Sequence, residues 1–285
     1  MPLRFGYWIE EMVGNYKSYG YPPLPFERYL SPLVSEQGRT TDHGMNATGD
    51  SPKEYWDHLW SERKPVLYEG PAVEGHPLLK QFLPKEPSFR FLEIGCVPGN
   101  WMVYFSKEYG YQVSGIDYSD AISVAHRTCE INKVPAVIWH EDVFSAQLPN
   151  LFDVVFSAGF VEHFTEWQKV VDLHLHWLKS GGYLVMSVPN IRGIHRFLFK
   201  TYHPADYAIH YLHIIQKPDM LRNYLERTCK LLYFGYWITW RPFYRLTIPL
   251  DFGSRAVRRI LRVMGLENAP NRYFSPFLWV IARKY

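Results

Sequence analysis

Cysteine is scarce in this chain. Its three residues, Cys96, Cys129 and Cys229, are odd in number and widely spaced, and fit neither a disulfide framework nor zinc-ligand spacing. Long apolar runs are missing too: the longest uncharged apolar stretch, Leu231 to Trp240, has ten residues, half of the ~20 that span a bilayer. Met1 to Gly14 carries Glu10 and Glu11 and lacks a basic segment followed by an apolar core, so no signal peptide is expected. These absences point to a reducing, cytoplasmic setting. Acidic residues are scarce locally: residues 190–285 hold 5 Asp/Glu against 16 Lys/Arg, a net of +11. Residues 1–189 hold 23 against 15, a net of −8, so the overall +3 conceals a basic C-terminal third. Such a segment suits an anionic or interfacial partner, including a peripheral membrane contact.

What is present is ordinary globular material. Hydrophobic residues make up 47% and charged residues 21% of 285, which fits one large domain with additions. Aromatics reach 17%, so a large core or flat ligands are expected to receive them. Tyr21-Pro22-Pro23-Leu24-Pro25 forbids a helix there, and the first fifty residues read as an irregular extension. Ser51-Pro52-Lys53-Glu54 is a capping box opening a helix with Tyr55, Trp56, Leu59 and Trp60 at helical spacing.

From Phe89 strands and helices alternate. Strands are expected at Phe89–Ile94, Gln112–Ile116, Ala136–Trp139, Phe152–Ser157 and Tyr183–Val188. Helices are expected at Pro98–Tyr109, at Ser119–Ile131 with Ser119 as its cap, and at Thr165–Leu178. This rhythm means βαβ units and a doubly wound, mostly parallel sheet. A helix at Pro218–Thr228 and strands at Leu231–Ile238 and Phe277–Ala282 complete the pattern, with an insertion before the last strand. Two regions follow: 1–88, an extension with lid helices, and 89–285, the main domain, with insertions about 190–217 and 240–273.

In such sheets ligands bind beyond the carboxyl ends of the strands, where strand order reverses. The first strand ends Glu93-Ile94-Gly95-Cys96-Val97-Pro98-Gly99, a glycine turn that lets backbone approach a ligand at a helix N-terminus. The second ends at Asp117, 18 residues past Gly99, the spacing at which a carboxylate meets a ribose diol. The third ends Glu141-Asp142-Val143, an acid and an apolar residue able to bracket a base. The fourth runs on through Ser157-Ala158-Gly159-Phe160-Val161-Glu162-His163, and Leu178-Lys179-Ser180-Gly181-Gly182 precedes the fifth.

In this order and spacing the segments resemble class I S-adenosylmethionine-dependent methyltransferases over roughly Phe89 to Asn190. The resemblance implies S-adenosylmethionine as cofactor, held by Glu93, Gly95, Cys96, Gly99, Asp117, Tyr118, Asp142, Val143, Ser157 and Ala158. It implies a seven-stranded Rossmann-like sheet. Val97 stands where the family's middle glycine would be, which puts the turn's local geometry in question. Val97 and Asn100 also depart from a nicotinamide-dinucleotide fingerprint.

The resemblance places His163 where the methyl group points, as candidate general base, with His213 second. Tyr55, Trp56, Trp60 and His210 are expected to line the lid or acceptor side. Asn/Asp-Pro-Pro-aromatic and Pro-Cys signatures of base methylation are absent, and Ser157 to Phe160 offers no acidic metal ligand. A metal-free O-methyltransferase acting on a small molecule or glycan is therefore expected. An N-methyltransferase and a non-catalytic cofactor-binding or membrane-interface module stay open; nucleic acid is disfavoured, since no recognised binding motif accompanies the basic third. Residues 254–265 form a basic amphipathic pattern that could meet an anionic bilayer or lipid-linked acceptor, or could simply pack on the sheet with solvated arginines.

Overall fold

The computed structural model describes residues 52–61, 63–70, 75–202, 204–210, 212–237 and 277–285, with 263, 272 and 275. The expected extension over 1–50, the Ser51 cap, most of the 240–273 insertion and the basic pattern over 254–265, Val263 apart, lie outside them. Two helices come first, α1 (Lys53–Ser61) and α2 (His76–Phe82). Alternation then follows as β1 (Arg90–Ile94), α3 (Asn100–Tyr109), β2 (Gln112–Asp117), α4 (Ile122–Ile131), β3 (Ala136–His140) and β4 (Phe152–Ala158). A 3₁₀ turn at Val161–His163 leads to α5 (Trp167–Trp177) and β5 (Leu178–Pro189). Helices α6 (Gly193–Tyr202), α7 (Pro204–Ala208), α8 (Leu212–Gln216) and α9 (Pro218–Leu225) precede β6 (Cys229–Trp237) and β7 (Phe277–Lys284).

The seven strands form one sheet in the order β3-β2-β1-β4-β5-β7-β6. Pairing is parallel from β3 to β5, while β7 runs antiparallel to both β5 and β6. Strand alternation sends side chains to two cores. Leu92, Ile94, Val155, Leu184, Met186 and Val280 face one, shared with α5, α8 and α9. Phe91, Val154, Phe156, Val185, Trp279 and Ile281 face the other, shared with α2, α3 and α4. Burial of both strand faces by this apolar set is what a covered parallel sheet requires. Order reverses between β1 and β4, so the crevice lies beyond the carboxyl ends of those strands.

Three boundaries differ from expectation for local reasons. Helix α3 starts at Asn100 rather than Pro98, because Gly99 adopts a left-handed conformation, φ +96°, just before it. Helix α4 starts at Ile122 rather than Ser119, since Ser119 opens a turn first: its Oγ accepts from the Ala121 N–H at 3.2 Å and its carbonyl from the Ile122 N–H at 3.1 Å, while its hydroxyl donates to Asp57 Oδ1 at 2.9 Å. Helix α9 ends at Leu225, where Arg227 and Thr228 amides bond back three residues as a turn. All three cysteines are free and buried. No helix among the described residues is long and apolar enough to cross a membrane.

Candidate functional site

The glycine turn after β1 is built on two positions that exclude a side chain. Gly95 has φ +74°, and a Cβ there would stand 2.7 Å from the Phe160 ring. Gly99 has φ +96°, and a Cβ there would stand 3.0 Å from the Ala125 carbonyl oxygen. Val97 needs no such freedom: among the described residues only Lys133 is a non-glycine with positive φ. Val97 is instead buried, and its N–H donates to Asp117 Oδ2 at 3.1 Å. The departure from the glycine pattern is thus absorbed without strain. Cys96 turns its side chain into the core against Gly115.

Glu93 closes the turn from beneath. Its Oε2 accepts from the Met102 N–H at 3.2 Å, fixing the first turn of α3 against β1. Burial holds this carboxyl well above the usual range, opposed by that amide and aided by the nearby charge of Asp117. Gly99 gives α3 no side-chain cap, and the buried Oδ1 of Asn100 has no hydrogen-bond partner. An uncapped helix N-terminus with a buried acceptor beside it is prepared for a polar ligand.

Asp117, at the end of β2, accepts from Ser119 N–H at 2.9 Å as well as from Val97. Burial raises its carboxyl to about 6 against the pull of those two amides. A carboxylate offers about four acceptor positions, so two amides leave room for a diol. Helix α1 is clamped to the same loop. Asp57 Oδ1 accepts from the Ser119 hydroxyl and from the Asp120 N–H at 2.8 Å, while Lys53 bridges Asp57 and Asp120 at 2.6 and 2.8 Å. Across the rim, Asp142 is exposed and caps its own loop through the Phe144 N–H at 2.9 Å, with Val143 buried beneath it. Tyr118 is partly buried, and its carbonyl meets His140 Nε2 at 3.2 Å.

Beyond β4 stands a group of buried ionisable side chains. Ser157 is buried with its hydroxyl on His174 Nε2 at 2.9 Å, and His174 Nδ1 donates to the Val170 carbonyl at 2.7 Å. Since that carbonyl only accepts, Nδ1 carries the proton and Nε2 accepts from Ser157. Burial lowers this imidazole to about 4. Ala158 ends the strand, partly buried. Glu162 and His163 follow in the 3₁₀ turn, both buried. Glu162 is 0% exposed, neither carboxylate oxygen has a hydrogen-bond partner among the described residues, and burial pushes the carboxyl up to about 8. His163 Nδ1 meets the Ile209 carbonyl at 3.1 Å, and its Nε2 stands 3.7 Å from Glu162 Oε1. Burial holds this imidazole well below its usual value, helped by neighbouring His210 and opposed by the backbone of Ile209 and Gly159.

Two more rings complete this cluster. Trp56 of α1 stands edge-on to His163 with centroids 4.6 Å apart, and His210 lies 4.6 Å from it on another side. Tyr55 packs edge-on against Trp56. Trp60 turns away, into the core around α2–α4, with the Arg63 guanidinium 5.4 Å over its ring. The backbone of His213 lies in α8, and its side chain is outside the described residues. Glu93, Gly95, Gly99 and Asp117 therefore form one rim of the crevice, and Glu162, His163, Trp56 and His210 form a second cluster after β4. Sequence reasoning passed over Asp57 and His174, which sit at ordinary surface-like spacings on their helices and gave no signal.

A family profile described as a methyltransferase domain matches residues 70–228. No curated protein matches the chain. Among solved structures, an S-adenosylmethionine-dependent methyltransferase from Thiobacillus denitrificans in complex with S-adenosyl-L-homocysteine aligns with TM-score 0.54 at 15% identity, over 83% of this chain and 100% of that one. A structure concerned with conversion of a disulfide bond into a thioacetal group during echinomycin biosynthesis aligns at 0.55 and 17%, over 82% and 93%. A methyltransferase from Mesorhizobium loti aligns at 0.50 and 17%, over 75% and 99%. At these identities the likeness is one of fold.

Proposed function

The chain belongs to the methyltransferase-domain family, with S-adenosylmethionine as its methyl donor, and on that premise we propose that it methylates a hydroxyl of a small-molecule or glycan acceptor. When bound, S-adenosylmethionine supplies a sulfonium methyl that leaves by in-line displacement. The residues present fit it. Gly95 and Gly99 keep the backbone open, Asp117 has acceptor capacity for ribose hydroxyls, and the buried Asn100 Oδ1 awaits a donor.

The observation that carries the acceptor reading is His163. A buried imidazole held neutral just after β4, its Nδ1 on the Ile209 carbonyl and its Nε2 beside Glu162, supports a role in handling the acceptor's proton. A hydroxyl acceptor needs that help to lose its proton, whereas an amine arriving neutral does not. Helix α1 acts as a lid in this reading, since Trp56 covers His163 while Asp57 anchors the helix to the Asp117 loop. Excluding water there protects the reacting centre.

An anionic acceptor belongs to the same reading. Arg192, Arg222 and Arg272 line a cavity of about 270 Å³ against residues 234–236 of β6 and Leu278 of β7, separate in its lining from the Glu162–His163 cluster, with Asp219 the one carboxylate among its lining residues. The test is release of S-adenosylhomocysteine across a panel of hydroxyl compounds with and without a carboxylate or phosphate. Turnover confined to anionic alcohols or phenols supports the reading; turnover only of amines, or of nothing despite cofactor binding, contradicts it.

A further inference from the structure

We propose that Glu162, His163 and His210 form a binding site for one divalent transition-metal ion of the zinc type, and that this ion receives the acceptor hydroxyl. The proposal rests on the reading of the crevice as the site of methyl transfer to oxygen, and it changes the part His163 plays there: with Nδ1 on the Ile209 carbonyl and Nε2 on the ion, His163 acts on the acceptor hydroxyl through the metal instead of taking its proton.

The geometry is that of a nearly assembled ligand set. One ligand atom from each residue lies within 4.8 Å of the other two. Around a single ion with bonds of ~2.0–2.2 Å, donor atoms stand about 3–3.5 Å apart. Glu162 Oε1 and His163 Nε2, at 3.7 Å, already approach that separation. His210 is only partly buried, so its ring has room for the small rotation that remains.

Glu162 supplies the strongest reason. A carboxyl sealed from water with neither oxygen hydrogen-bonded is unfavourable in either protonation state. Neither Glu162 oxygen has a hydrogen bond, and among the described residues its one ion-pair neighbour is His163. A cation between these groups would give the Glu162 oxygens the partner that they lack. The Ile209 carbonyl supports the same assignment: by accepting a hydrogen bond from Nδ1–H it fixes the tautomer in which Nε2 can ligate. Such outer contacts orient metal-binding histidines.

Ligand chemistry names the ion class. Two imidazoles and one carboxylate favour zinc, iron(II) or cobalt(II) over magnesium or calcium, which prefer all-oxygen shells. Three protein ligands leave a position open for a substrate oxygen. A hydroxyl placed there ionises more readily, and its proton is released to bulk water as the acceptor enters, before the lid shuts water out. The oxygen lone pair then forms the O–CH₃ bond as the S–CH₃ bond breaks, and that electron pair stays on sulfur.

The test uses the full chain, without a histidine tag, stripped by chelator and titrated calorimetrically with Zn²⁺ alone. One ion per chain is expected, bound about a hundredfold or more weaker in Glu162→Gln and in His210→Ala. Co²⁺ absorption bands in the visible, lost in the same variants, would support the assignment. The partly exposed His210 keeps the test sound should Glu162→Gln misfold; circular dichroism checks both. Unsaturable binding, or unchanged affinity in folded His210→Ala, overturns the site and leaves Glu162 as a buried acid. Activity separates the two readings. A stripped enzyme that methylates a hydroxyl at full rate overturns the metal and leaves O-methylation standing. One ion per chain in a protein that turns over only amines supports the site and overturns the hydroxyl reading.

Discussion

The Trp56 indole stands edge-on to the His163 imidazole, with ring centroids 4.6 Å apart and planes at 82°. The contact joins α1 to the turn after β4, so a helix outside the sheet's alternation forms one wall of the reactive cluster. Its counterpart is the set of bonds from Asp57 to Ser119 and Asp120, which ties α1 to the loop holding Asp117. The helix therefore touches both halves of the crevice.

Trp56→Ala removes a wall and leaves the sheet intact. Turnover should fall by roughly ten- to a hundredfold, the scale on which misplacement of reacting groups acts, while the melting temperature moves by only a few degrees. Steady-state kinetics beside thermal unfolding checks this. A variant that unfolds outright would show α1 to be core rather than lid.

Asp57→Ala addresses the other anchor. The Ser119 hydroxyl and Asp120 N–H lose their shared acceptor, and Lys53 loses a partner. Cofactor affinity should weaken by about three- to tenfold through a loosened Asp117 loop, at ~1 kcal/mol for hydrogen bonds of this kind. Calorimetry with S-adenosylmethionine measures it; affinity equal to that of the parent would mean that the loop holds its shape alone.

The His174–Ser157 pair gives a pH dependence with a definite sign. Burial lowers the folded-state imidazole to about 4, whereas an unfolded histidine titrates near 6.5. Below about 6.5 the unfolded chain takes up a proton that the folded one refuses, so stability falls until the pH reaches about 4. Over that window the loss is about 3 kcal/mol. In His174→Gln this part of the slope should vanish, as urea unfolding at pH 7.5, 5.5 and 4.5 would reveal. An unchanged slope would place the acid sensitivity elsewhere.

Arg192 and Arg222 approach the same cavity from the end of β5 and from α9, the first through Tyr236 at 3.3 Å and the second stacked 4.4 Å over Phe234. Replacing either with alanine should raise KM for an anionic acceptor by about ten- to a hundredfold, the worth of a hydrogen bond to charge, with kcat nearly kept. Equal KM for charged and uncharged acceptors in the parent would remove the anion from the account.

Much of this architecture was legible in the chain because it depends on local pattern. Gly95, Gly99 and Asp117 are marked by residue type and by their distance from strand ends, and the burial of both strand faces shows in apolar-rich segments such as residues 154–156, 183–186 and 277–282. What escaped depends on partners far away in sequence. Ser119 reads as a local turn or cap residue, and nothing near it in sequence shows that its hydroxyl also donates to Asp57, 62 residues earlier. His174 is indistinguishable from exposed His176 until α5 turns one of them onto Ser157. The expectation of a metal-free site rests on Ser157 to Phe160, whereas the metal site proposed above draws on residues beyond that segment, Glu162, His163 and His210. Spacing alone could not show that His210, 47 residues beyond His163, returns to its side.

The central claim is that the glycine turn and Asp117 hold S-adenosylmethionine, and calorimetric titration of the cofactor into the parent and Asp117→Ala tests it most directly. The parent should bind one equivalent per chain, and the variant should lose about 1.5–3 kcal/mol, or ten- to a hundredfold in affinity. Parent affinity should also drop below pH 6, as the Asp117 carboxyl, raised to about 6, takes a proton and loses acceptor capacity. Unchanged affinity in Asp117→Ala, or tighter binding of a nicotinamide dinucleotide by the parent, would contradict the account.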